Sequence, residues 1–116
     1  MIEKRVISIR DTKTGAILAT AVTDDQVQLF EGAWYFDADA VDMTHLVVSE
    51  RTYVCPYKGT CYWIDINAPN HQAKNIAFTY FKMNPGYEFI QDKIGFFAGE
   101  RADTVQTAET KMENSL

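Results

Sequence analysis

The chain is short of the features that most readily announce a function. It has only 2 cysteines, 2 histidines and 3 prolines in 116 residues. No apolar run approaches the ~20 residues that span a bilayer, so no membrane partner is expected. Basic clusters are missing as well. Lys and Arg total 11 against 16 Asp and Glu, for a net charge of −5, and stand singly or in pairs such as Lys4-Arg5. Such a field repels a phosphate backbone, so nucleic acid is not an expected partner. Met1-Ile-Glu-Lys-Arg-Val-Ile-Ser-Ile9 alternates instead of forming an apolar block, and is not expected to act as a signal peptide. Two cysteines without a leader fit a reducing compartment, and the expected location is cytoplasmic.

What the chain does have is rings. Phe, Tyr and Trp number 7, 6 and 2, which is 13% of a sequence whose apolar fraction, 47%, is ordinary. A chain of this length holds one core, and rings are its default filling.

Period-two patterning dominates. Residues 5–10 alternate, Asp11-Thr-Lys-Thr-Gly15 is turn chemistry, and 16–22 reads as the second strand of a hairpin. Asp24-Asp25 is a break. Short apolar runs at Val27–Phe30 and Trp34–Phe36 flank Glu31-Gly32, a tight turn or bulge. Asp37, Asp39 and Asp42 form an acidic connector in which an Asp could cap one helical turn. Leu46–Val48 is a strand ended by Ser49-Glu-Arg51. Tyr62–Ile66 is another, residues 67–75 are a polar loop, and Ile76–Met83 alternates again. Asn84-Pro-Gly86 turns the chain, 87–93 predicts one or two helical turns with Phe89 and Ile90 inward, and Ile94–Phe97 is a last short strand. From Glu100 onward the only large apolar residues are Val105, Met112 and Leu116. The expected division is a β domain over 1–99 and a solvated tail or marginal helix over 100–116. The fold class is all-β, mostly antiparallel, a compact single domain of the sandwich or open-barrel kind with little helix.

Candidate chemistry concentrates in Thr52-Tyr-Val-Cys-Pro-Tyr-Lys-Gly-Thr-Cys-Tyr-Trp63. Pro56 restricts Cys55 to extended backbone and Gly59 permits a reversal, so Tyr57 and Lys58 sit on a short, stiff loop. An aromatic and a cation held that way suit a planar or anionic ligand; the plain alternative is a structural turn. Cys55 is either a small buried hydrophobe or a thiol nucleophile assisted by Lys58. Cys55 and Cys61 are separated by 5 residues, wider than a structural zinc pair. His45 and His71 could complete a set only by coincidence, so neither metal nor other cofactor is expected. His71, in a polar segment, reads as solvated, and the three connector aspartates as turn formers. Trp34, Tyr35, Tyr62 and Trp63 could wall an aromatic pocket or simply fill a core.

Trp34-Tyr-Phe36 with Asp39, then Ser49 and Thr52, then Cys55-Pro-Tyr-Lys-Gly59 followed by Tyr62-Trp63, resembles the domain of unknown function 427 family. Ala77-Phe-Thr-Tyr80 and Ile94-Gly-Phe-Phe97 fall where that family has comparable segments, so the resemblance covers residues 4–99. It implies two small antiparallel sheets in a tent-like arrangement and brings no established activity. The family has carried a nucleotidyltransferase label, but nucleotidyl transfer needs paired carboxylates holding Mg²⁺ near a phosphate-cradling loop, and no glycine-rich phosphate motif is present. Asp37 stands where the family commonly has proline, and Cys61 where a small residue is usual.

The expected function is a binding module for a small planar or anionic ligand at Trp34, Tyr35, Cys55, Tyr57, Lys58 and Tyr62. The competing readings are an enzyme with Cys55 as reactive thiol and Lys58 assisting, and a non-catalytic oligomeric scaffold such as a homodimer.

Overall fold

In the computed structural model the backbone of residues 2–113 and the side chains of residues 4–109 are described. Met1, the first residue of the segment weighed as a leader, and 114–116, the end of the expected tail, lie outside them.

Strands β1 (Ile2–Asp11) and β2 (Ile17–Val22) form the expected hairpin. Its turn is held by the Asp11 carboxylate, which accepts the N–H groups of Lys13 (2.8 Å) and Thr14 (3.4 Å). The other edge of β1 is taken by the last strand, Thr104–Glu113, in register along its whole length from Ile2↔Glu113 to Asp11↔Thr104. The expectation of a solvated tail or marginal helix over 100–116 is therefore corrected over Thr104–Glu113. A segment poor in large apolar residues cannot anchor itself, but it can complete the open edge of a ten-residue strand. Thr104, its first residue, is buried.

Six strands make the second sheet: β3 (Val27–Phe30), β4 (Ala33–Phe36), β5 (Leu46–Cys55), β6 (Gly59–Ala68), β7 (His71–Thr79) and β8 (Ile94–Phe97), with Thr104–Glu113 of the first sheet as β9. The orders are β2-β1-β9 and β3-β4-β8-β7-β6-β5, with every strand pairing antiparallel and, among the described residues, no closed barrel. Glu31 and Gly32 turn β3 into β4 with φ of 48° and 77°, the left-handed pair that a two-residue hairpin requires.

Three local expectations change. Ser49-Glu50-Arg51 does not end β5: the strand runs on through an irregularity between Val48 and Thr52, where the Ser49 hydroxyl donates to the Trp63 carbonyl. Residues 67–75 are mostly strand, because Ile66↔Ala73, Asn67↔Gln72 and Ala68↔His71 pair across a turn at Pro69-Asn70. Cross-strand pairing overrides local polarity there. The acidic connector contains a single 3₁₀ turn, Ala38–Ala40, which Asp37 precedes without capping it, its carboxylate facing Lys93 instead. Residues 88–90 form another such turn, with Ile90 buried as expected and Phe89 half exposed.

The main core lies between the sheets. Ile7 and Ile9 of β1 and Leu18, Ala19 and Ala21 of β2 meet Phe36, Ile64, Ile66, Ala77, Ile94 and Phe96 of the larger sheet. The opposite face of the larger sheet is apolar too. Ala33, Tyr35, Cys61, Phe78 and Tyr80 form a second cluster there with Met83 and Ile90, which arrive on the segment between β7 and β8. A sheet apolar on both faces, with only part of the second one covered, is what creates the site. Among the described residues no helix is long and apolar enough to cross a membrane.

Candidate functional site

The uncovered part of that second face is a hollow of about 180 Å³. Strand alternation builds it: Tyr35 of β4, Tyr53 of β5, Cys61 and Trp63 of β6, Phe78 of β7 and Phe97 of β8 all point the same way. Phe78 is the hub. Its ring lies 5.7 Å from Tyr35, 6.0 Å from Trp63, 5.3 Å from Phe97 and 6.5 Å from Tyr80, mostly edge to face. Gly95 makes room for it, since a Cβ at that position would stand 2.3 Å from the Phe78 ring. The glycine is paired with both Tyr35 and Phe78, so a side chain would push into the floor of the hollow.

The polar groups are few. Lys58 places its ammonium 5.9 Å from the centroids of both Phe30 and Tyr80 and 3.2 Å from the Glu31 carboxylate. The stiff loop expected around it is real in its bonding. Asn84 donates its backbone N–H to the Lys58 carbonyl (2.9 Å) and its side-chain amide to the Tyr57 carbonyl (3.1 Å). The Lys58 N–H in turn points at the Cys55 sulfur, 3.4 Å away. Both cysteines are free. Burial pushes the Cys61 thiol up, outweighing the Tyr53 amide, the Tyr80 hydroxyl and the Lys58 charge, which favour the thiolate. Burial likewise raises the Tyr35 phenol to about 12 and drives Tyr80 up further, with the thiols adding in the same direction.

The six residues expected at one pocket are divided by the sheet. Tyr35 and Lys58 line the hollow. Cys55 lies beside it, its sulfur on the Lys58 amide. Trp34 points to the opposite face, packs on the main core, and donates its indole N–H to the Gln106 side chain at 3.0 Å. Tyr62 is on that opposite face as well, 5.3 Å from the exposed Phe81. Tyr57 is exposed at the loop tip. Adjacent residues of a strand cannot share a wall, so neither the Trp34–Tyr35 nor the Tyr62–Trp63 pair could supply both rings. Trp63, weighed as a pocket ring but left out of the expected six, does line the hollow, and Phe78, Tyr80, Phe97, Tyr53, Cys61 and Glu31 were missed. Their signal was there in part, since Cys61 and Trp63, and Phe78 and Tyr80, are each two residues apart.

His71 is not solvated. Its Nδ1 lies 2.8 Å from an Asp11 carboxylate oxygen and its Nε2 3.2 Å from one of Asp103, and the ring is buried at the junction of the two sheets. His45 is exposed just ahead of β5. Of the connector aspartates, Asp39 is exposed and Asp42 accepts the N–H and hydroxyl of Thr44. Among the described residues, no three His, Cys, Asp or Glu side chains gather so as to hold a metal ion.

A family model described as "Domain of unknown function (DUF427)" matches residues 5–108, nearly the whole chain. No curated protein matches it. The chain belongs to the DUF427 family, in agreement with the resemblance read from its Cys55–Gly59 and Trp34–Phe36 segments.

Proposed function

We propose that this DUF427 protein is a binding module that takes a small planar ligand into the hollow on the outer face of its larger sheet. The observation that carries the reading is the ring-walled cavity of about 180 Å³ left open beside Lys58. Rigid rings supply apolar contact at little entropic cost, and a few polar groups orient the ligand. Tyr35, Trp63, Phe78 and Phe97 offer the contact; the Lys58 ammonium is the charged donor at the wall. Glu31, its partner at 3.2 Å, is half exposed.

The test is a screen of planar aromatic fragments by NMR, following the Trp63 indole N–H, on the natural chain and on Ala33→Leu. Ala33 is buried on the wall of the hollow, and a larger side chain there fills it. Fragments are expected to shift the Trp63 signal in the natural chain and to lose that effect in the filled variant. If no fragment shifts Trp63, or if the filled variant responds equally, the hollow is not the binding site.

The second reading, Cys55 as a reactive thiol, draws on the Lys58 N–H that faces its sulfur. It is the weaker of the two, because the Lys58 ammonium is engaged by Glu31. The rate of alkylation of Cys55 against pH separates them. Thiolate-like reactivity well below the ordinary thiol range of about 8–9 would favour the enzyme reading.

A further inference from the structure

The hollow has a neighbour. Behind Phe97 lies a second cavity of about 210 Å³, with Asn75, Phe97, Arg101 and Thr104 among its lining residues. Phe97 is the wall the two cavities share. The Arg101 guanidinium sits over that ring, 4.5 Å from its centroid.

The two cations differ in how far they are already satisfied. Lys58 faces a carboxylate at 3.2 Å. Arg101 stacks on Phe97 and, among the described residues, its guanidinium has no carboxylate or hydrogen-bond partner. A stacked guanidinium keeps its in-plane N–H donors free, in a fork that matches a carboxylate. Asp103, a carboxylate that also lines this cavity, places an oxygen 3.2 Å from the His71 ring. The backbone carrying Arg101 is also held. Its N–H donates to the Thr104 carbonyl at 2.8 Å, the Thr12 N–H to the Asp103 carbonyl at 3.1 Å, and the Thr12 hydroxyl to the Ala102 carbonyl at 2.8 Å. The backbone is thus fixed, and the Phe97 ring holds the guanidinium of the exposed Arg101 beside the aromatic hollow, which reduces the ordering cost of binding.

We propose that the cavity at Arg101 is the anion subsite of the aromatic hollow. The ligand is then an aromatic carboxylate, its ring against Trp63 and Phe97 and its carboxylate on the Arg101 guanidinium instead of on Lys58. This rests on the ring-binding reading above and adds the chemical class of the ligand.

Calorimetric titration of the full chain with 2-naphthoate and with its neutral isostere 2-naphthamide tests the proposal. The natural protein is expected to bind the carboxylate about tenfold tighter than the amide, as a charge-assisted pair allows. Arg101→Gln should abolish that preference, and Lys58→Gln should retain it. Thermal melts of both variants check that the fold is intact. An amide that binds as tightly as the carboxylate, or a preference that survives in Arg101→Gln, removes the anion subsite and leaves the hollow standing. A preference lost only in Lys58→Gln reassigns the anion to that residue. If neither compound binds the natural protein, the ring-binding reading falls, and the subsite with it.

Discussion

Trp34 and Tyr35 are neighbours in the chain, yet they belong to different compartments of the protein. The Trp34 ring packs on the core between the sheets, and its N–H reaches Gln106 of β9. Tyr35 faces the hollow on the other side.

Trp34→Ala should therefore cost stability. Loss of a half-buried indole and its hydrogen bond predicts about 2–3 kcal/mol in denaturant unfolding, below the range for a fully buried ring. Ligand contact in the hollow should persist. Tyr57→Ala, at the exposed loop tip, should change stability by no more than about 0.5 kcal/mol.

Gly95→Ala offers a sharper probe. Its new methyl would meet the Phe78 ring at 2.3 Å, so Phe78 must move or the strands must part. Overpacking of this kind costs about 1–3 kcal/mol. Because Phe78 is the hub of the hollow, the Trp63 indole signal should shift in this variant without any ligand. An unshifted signal together with full stability would show that Phe78 has other room.

Acid should loosen the junction of the sheets. Burial by itself would raise the Asp11 carboxyl, but the Lys13 N–H and His71 outweigh it, with help from Thr14, and hold it below its ordinary value of 3.8. A carboxyl depressed in the folded state contributes stability that is complete above its unfolded value and is lost as pH falls through the folded one. Urea midpoints of the natural protein should fall with acidification below about pH 4. Asp11→Asn should start lower at neutral pH and fall less steeply. Parallel curves for the two proteins would contradict the assignment.

At the alkaline end the sign reverses. Burial first, then the Glu31 charge and the two thiols, raises the Tyr35 phenol to about 12. An acid whose pKa is raised on folding contributes stability that is intact below its unfolded value near 10 and is lost as pH climbs toward the folded one. Spectrophotometric titration should show a component near pH 12 that Tyr35→Phe removes. The variant should also be less sensitive to alkaline denaturation than the natural protein.

Much of the architecture was legible because it is local. The Asp11–Gly15 and Glu31-Gly32 turns announce their hairpins through residues that tolerate or stabilise the turn backbone. The alternation at 76–83 announces a strand through one-sided burial. β9 was not legible, since its partner lies about a hundred residues away and its own composition is that of solvated chain. The polar start of β7 was hidden likewise. His71 reads as a loop residue until Asp11 and Asp103 arrive on either side of it.

The site divides along the same line. Composition and motif by themselves determined that rings and one restrained lysine would gather near the Cys55–Gly59 corner, since Pro56 and Gly59 act on the backbone they occupy. Only the tertiary structure decided which rings. Facing is a property of strand register, and register depends on partners distant in sequence. That is why Trp63, Phe78 and Phe97 share the hollow with Tyr35 while Trp34 and Tyr62 lie behind the sheet.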